Sequence, residues 1–276
     1  MPHVTIAEIS QNIVQLFQNS HIWVIFLITL VVIFVAFEVG FSLGRYRYNR
    51  LNKEKDSLVG PMVGVMLGLL AFMLSFTFGV AASHFDARRQ LVLEEANAIR
   101  STYAMAEMLA DAPCSESQKL LREYVDLRLK KYLSLEEINV AISRSNEIQD
   151  QLWSIAMAGE VKSTGTSSSW LYVQSLSDMI NIQTKRLIAG VHGRIQTSIW
   201  VMLYCIAILG MAAMGYHAGL VGIRGFFVYP LLITMFSLVV VFIYDLDRPK
   251  QSLFKVSQQP IIDLQKRIND DPVIRP

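Results

Sequence analysis

The sequence predicts an all-α membrane protein: four transmembrane helices in two hairpins, with a bundle of long soluble helices between them. Three observations lead there. First, the stretches Ile22–Leu43, Leu58–Ser83, Ile195–Tyr216 and Gly225–Tyr244 are uncharged or nearly so. A helix rises about 1.5 Å per residue, so roughly 20 apolar residues cross the hydrocarbon of a bilayer. Second, 53% of the residues are apolar and only 17% charged, a balance that sets the chain apart from soluble domains. Third, the charges are segregated: none lies between Asp56 and Asp86, or between Arg194 and Arg224. This pattern excludes soluble-enzyme readings. The net charge of +2 comes with no basic run of the kind that binds nucleic acid, so none is expected as a partner.

The elements follow in order, with expected domains at 1–20, 21–83, 84–194, 195–244 and 245–276. In the first, Ile6, Ile9, Ile13, Leu16 and Phe17 recur at helical spacing, which predicts an amphipathic helix lying at the membrane interface. No cleaved signal peptide is expected, because Met1–Ser20 lacks a basic start and the apolar run after it is too long. The first span ends in a basic turn: Arg45, Arg47, Arg50, Lys53 and Lys55. Beyond the second span, Val92, Ala96, Ile99, Tyr103 and Ala106 alternate steps of four and three, the seam of a packed helix. The second membrane helix is expected to run unbroken into this seam, as far as Ala112–Pro113. Further helices are predicted near Glu116–Leu133 and Leu135–Gly159, the latter with Ile138, Ile142, Ile148, Leu152 and Ile155 on one side. Lys162–Ser169 reads as a flexible connection, Trp170–Arg194 as the lead into the third span, and the C-terminal tail as packing on the helical domain.

Two spans hold residues that invite a functional reading. Glu38 is a carboxylate within the last turns of span one, where such a group is paired, protonated or near an interface unless it handles ions. Arg45 and Arg47 are near enough to stabilise it. In span two, Gly60, Gly64, Gly68, Ala71, Ser75, Gly79 and Ala82 form one stripe of small residues. Such a stripe lets helices approach closely; facing its own copies around an axis, it would instead line a pore. Phe72 and Phe76 border it, and apolar rings at a constriction gate by dewetting.

Catalytic constellations are absent: no HExxH, no phosphate-binding glycine loop, no Cys/His pair at metal spacing. No enzyme activity, cofactor or metal is expected. His84 and Asp86 are two apart and diverge by about 200° on a helix, which makes a poor metal pair. Glu94 and Glu95 also point to different sides. Cys114 and Cys205 sit in different environments and read as bystanders.

Two blocks make the chain resemble a known family. One is Leu70-Ala-Phe-Met-Leu-Ser-Phe-Thr-Phe-Gly79 with His84-Phe-Asp-Ala-Arg-Arg89 and Glu94-Glu-Ala-Asn-Ala-Ile99; the other is Asp245-Leu-Asp-Arg-Pro249 after the last span. In that order they resemble the bacterial bestrophin-like family, with Glu94, Glu95, Asn97, Asp245, Asp247, Arg248 and Pro249 as signature residues. The resemblance implies a bestrophin-like fold and a homopentamer in the bacterial inner membrane, passing small inorganic ions, anions favoured. It implies that the second span lines the pore, with Gly68, Phe72, Ser75, Phe76 and Gly79 in or beside the neck and Arg88 and Arg89 at its mouth. The tryptophan-rich polar stretch of other bacterial bestrophins is missing here. The acidic calcium clasp of animal bestrophins is only echoed by Asp245 and Asp247, which fit a helix cap or a pair with Arg248 better.

Orientation pulls two ways. The first loop carries the basic turn and the N-terminal tail no Lys or Arg, so the positive-inside rule favours a cytoplasmic loop; the resemblance implies a cytoplasmic middle domain. A membrane sensor or scaffold, whose helical domain binds a ligand or partner, stays open as the alternative function, although Asp245–Pro276 is short for an output domain.

Overall fold

The computed structural model describes residues 22–50, 59–130, 135–162, 167–191, 194–222, 227–248 and 256–270. Among them are eight helices and no strand: α1 (Ile22–Arg50), α2 (Val59–Ala106), α3 (Asp111–Leu129), α4 (Leu135–Lys162), α5 (Ser167–Val191), α6 (Thr197–Val221), α7 (Val228–Asp247) and α8 (Gln259–Asp270). Four of these, α1, α2, α6 and α7, are long and apolar enough to cross a membrane. The all-α class with four spans is therefore as the sequence predicts. The expected interfacial helix at 1–20 lies outside the described residues, as do Lys53, Lys55 and Pro249.

Helix ends differ from expectation in instructive ways. The second membrane helix does run unbroken into the polar segment, for 48 residues, but stops at Ala106 rather than Ala112–Pro113. A tight turn closes it, with Glu107, Met108 and Leu109 each donating a backbone N–H three residues back. Pro113 then sits in the first turn of α3, where its missing N–H has no helical acceptor to lose, so it marks a start rather than a stop. Consequently α3 covers Asp111–Leu129, not Glu116–Leu133. Spans one and three extend further than their apolar cores, to Arg50 and Val221.

Contacts divide the chain into two compact units, one of residues 1–84 and 194–255, the other of 85–193 and 256–276. In the first, α1 and α6 run parallel, since Thr29 meets Tyr204, Gly40 meets Ala212 and Gly44 meets Tyr216. Their crossing is built from glycine. A Cβ placed on Gly40, Gly44, Gly215 or Gly219 would collide with the facing backbone at Ala212, Tyr216, Phe37 or Phe41. Glycine costs a helix up to about 1 kcal/mol relative to alanine; here the close backbone approach offsets it through dispersion contacts. Ile33, Phe37, Phe41, Met211 and Ile233 pack around the crossing and bring in α7. Thr29 and Tyr204 close the polar pairing inside it, hydroxyl to hydroxyl at 2.8 Å.

In the second unit the predicted seam is buried: Val92, Ala96, Ile99, Tyr103 and Ala106 all face the core, with Ile99 and Ala106 fully covered. They join Leu121, Tyr124 and Val125 of α3, Ile148 and Leu152 of α4, and Tyr172, Leu176 and Met179 of α5. Helix α8 completes this core through Ile261, Leu264 and Ile268, on one face at steps of three and four. Gln265 of α8 also donates to Asp126 of α3 at 2.6 Å.

Candidate pore helix

Within the membrane, α2 has two unlike faces. Val63, Leu70, Leu74, Thr77 and Ala81 are buried, and the Thr77 hydroxyl is satisfied by the Met73 carbonyl at 2.7 Å. The opposite face carries Gly64, Gly68, Ala71, Phe72, Ser75, Phe76 and Gly79, all exposed. Phe72 and Phe76 leave 63% and 57% of their surface open. A Cβ on Gly64, Gly68 or Gly79 would meet nothing within 4 Å. Of the stripe's glycines, only Gly60, at its start, lies against another helix, beside His217 of α6. Among the described residues, Gly64, Gly68 and Gly79 therefore serve no helix packing; α1 and α6 take that role through Gly40, Gly44, Gly215 and Gly219, which the sequence alone does not single out.

Beyond the membrane stretch the signature residues part company. Arg88 is buried and Arg89 exposed, as adjacent helical residues about 100° apart must be when one face is packed. Glu94 and Glu95 separate in the same way. Glu94 is half-buried, accepting from Gln90 at 2.9 Å. With the exposed Asn97, it lines an open polar hollow of about 660 Å³ that Ser101, Asp178 and Asn181 also border.

Glu95 is fully buried. Arg128 Nε lies 2.8 Å from its Oε1, an ion pair by distance, and Arg186 Nη1 pairs with its Oε2. Tyr124 Oη approaches the same carboxylate at 3.2 Å and the Gln183 amide oxygen at 2.8 Å, and Gln149 donates to that amide oxygen too. Arg186 reaches onward to Gln258, just before α8, at 2.8 Å. Burial pulls the Arg186 guanidinium down to about 10 and pushes the Tyr124 phenol up to about 12. One signal in the sequence pointed here: Glu95 falls on the apolar seam, between Val92 and Ile99, and a charge on such a seam requires partners. Those partners come from α3 and α5 and had no local signature.

At the far end of α7, Asp245, Asp247 and Arg248 are all buried. Asp247 Oδ1 accepts the backbone N–H of Ile195 at 2.9 Å, and so caps the chain entering α6. His84, at the end of the membrane stretch of α2, places Nδ1 3.7 Å from that same oxygen. The Arg248 guanidinium lies 4.5 Å from the centre of the Tyr244 ring. In span one, Glu38 is half-buried and borders a groove on the outer face of α1. Among the described residues, no three His, Cys, Asp or Glu side chains are grouped as metal ligands.

A model of the Bestrophin-like domain matches residues 25–261. The chain belongs to the bestrophin-like family. A comparison with curated proteins finds no match. Among solved structures, the bestrophin-like fold is similar to that of a bacterial bestrophin homologue from Klebsiella pneumoniae, crystallised as a point mutant. The likeness has a TM-score of 0.61 over 91% of this chain and 98% of that one, at 15% identity. The bestrophin-like match leaves out only the first three residues of α1 and, among the described helices, α8 beyond Ile261, and so takes in both the open face of α2 and the Asp245–Arg248 cap.

Proposed function

We propose that this protein is an oligomeric channel for small inorganic ions, a homopentamer in the bacterial inner membrane, with the open face of α2 turned to the symmetry axis. One observation carries this reading. Among the described residues, the longest membrane helix keeps a stripe of glycine, alanine and serine, bordered by the exposed Phe72 and Phe76, uncovered by its own chain. Small side chains around an axis leave a lumen, and the two phenylalanines, one turn apart, supply apolar rings to narrow it. Gly68, Phe72, Ser75, Phe76 and Gly79 are thus the proposed pore and neck, with Arg89 beside the mouth. The preference for anions and the cytoplasmic placement of the helical unit rest on the family alone.

The test is a mass measurement in detergent together with chloride and sodium flux from liposomes. The account expects five subunits, measurable flux, and altered conductance in Phe72→Ala or Phe76→Ala at unchanged stability. A monomer or dimer without flux for either ion overturns it. A sensor or scaffold role has one observation in its favour, the polar hollow bordered by Glu94, Asn97, Asp178 and Asn181. A soluble ligand or partner retained on the purified protein, in the absence of flux, would support that role instead.

A further inference from the structure

The outer face of α1 carries a shallow groove of about 460 Å³. Phe34, Val35, Val39, Leu43 and Tyr46 line it, with Glu38 and Ser42 between them. From Phe34 to Tyr46 the helix rises about 18 Å, so the groove is long and narrow along the membrane normal. Its end meets a cationic rim. Arg50, one turn past Tyr46, holds its guanidinium 5.0 Å from the Tyr46 ring centre. A guanidinium in such a contact keeps N–H donors available for an anion. Arg45 stands at the other edge of the stripe, and both arginines are exposed. Arg47 turns away from the groove, donating to Tyr216 of α6 at 2.7 Å.

The rim is net basic. Between Val39 and Leu58 the sequence sets Arg45, Arg47, Arg50, Lys53 and Lys55 against Glu54 and Asp56, and no Asp or Glu occurs from Met179 to Tyr244, which takes in the whole of α6. Glu38 lies seven residues, about 10 Å of axial rise, below Arg45, at the depth of acyl chains rather than of headgroups.

We propose that this groove and its arginine rim hold one anionic phospholipid, its phosphate on Arg45 and Arg50 and an acyl chain along Phe34, Val39, Leu43 and Tyr46. Guanidinium groups bind phosphate oxygens through paired charged hydrogen bonds, and the apolar groove accounts for the chain as a free anion would not. A zwitterionic lipid offers the same chain and phosphate but adds a cation that the net-basic rim disfavours. The site goes beyond the channel reading and does not depend on conduction.

The experiment is lipid add-back to the delipidated protein in detergent, read by native mass spectrometry and by melting midpoint. The ligands are phosphatidylglycerol, phosphatidylcholine and inorganic phosphate. Phosphatidylglycerol is expected to bind and raise the midpoint, phosphatidylcholine to bind more weakly, and inorganic phosphate to do neither. In R45Q/R50Q, phosphatidylglycerol binding should weaken roughly 30-fold, the loss expected for two arginines at an anionic surface. V39W, which fills the groove, should weaken both lipids alike. Both variants alter exposed side chains, so an unchanged midpoint in lipid-free detergent certifies their fold. Equal binding of the two lipids overturns the proposal, as does a phosphatidylglycerol preference that survives in R45Q/R50Q. Stabilisation by inorganic phosphate equal to that by the lipid, with V39W silent, would leave a free-anion site and no lipid site.

Discussion

Replacing Glu95 by Gln should be among the most damaging single changes in the helical unit. The carboxylate is fully buried and pairs with two guanidinium groups, Arg128 and Arg186, whose side chains are themselves only 15% and 20% exposed. Glutamine keeps the shape but leaves two cations facing each other with no counter-charge. Breaking a buried pair in this way costs about 3–5 kcal/mol, and the residual exposure of the arginines places the expectation near 3 kcal/mol. For a chain of this size that lowers the melting midpoint by roughly 6–12 °C. The assay is thermal unfolding in detergent followed by tryptophan fluorescence, to which Trp153 and Trp170 contribute from the helical unit. Two comparisons make the reasoning refutable. Arg186→Met leaves Glu95 paired with Arg128 and should cost less than Glu95→Gln. The double variant should be more stable than Glu95→Gln alone, because it removes one of the two stranded charges. A control is the exposed trio in which Arg144 binds Glu123 and Glu147 at 2.7 and 2.9 Å; Glu123→Gln should barely move the midpoint. A loss below about 1 kcal/mol for Glu95→Gln, or simple additivity in the double variant, would refute the argument.

Three further outcomes follow from the same contacts. Gly40→Ala and Gly215→Ala force a Cβ into the facing helix and should each cost about 1–3 kcal/mol, whereas Gly64→Ala has open space and should be neutral or stabilising by up to about 1 kcal/mol; melting midpoints in detergent distinguish them. Asp247→Ala leaves the buried Ile195 N–H without its acceptor and should cost about 1–3 kcal/mol, while Asp247→Asn, which keeps an acceptor oxygen, should retain most of that stability. Tyr124 and Tyr172 are both pushed up to about 12 by burial, so the folded state keeps protons that the unfolded chain releases near pH 10. Their contribution is complete below that pH and is lost between about 10 and 12, and Tyr172→Phe should flatten the fall of the midpoint over that window.

The parts of this molecule that could be read from the sequence are those governed by local pattern. Apolar runs placed the four membrane helices, and the steps of four and three from Val92 to Ala106 placed the core of the helical unit. Boundaries were read less well, because Pro113 is equally a stop after one helix and a tolerated residue in the first turn of the next. The close α1–α6 crossing was missed although Gly40-Phe-Ser-Leu-Gly44 places two glycines four apart, as Gly215 and Gly219 are. The stripe in α2 is longer, and nothing local distinguishes a packed glycine from an open one. Glu95 stood on an apolar seam and so announced a need for partners, but Arg128 and Arg186 lie on other helices, and only the fold brings them to it. Arg88 and Arg89 looked equivalent in sequence and occupy different faces of one helix.

The claim on which the rest turns is that the open face of α2 borders an ion pathway, and cysteine accessibility tests it most directly. In a Cys205→Ser background, which removes the exposed native thiol and leaves the buried Cys114, Ser75→Cys and Leu74→Cys are reconstituted separately in liposomes. A charged, water-soluble thiol reagent is then added during ion flux. The account predicts that modification at position 75 changes the flux at once, while position 74, on the packed face, is silent. Flux untouched at position 75, or equal reactivity at both positions, would contradict it.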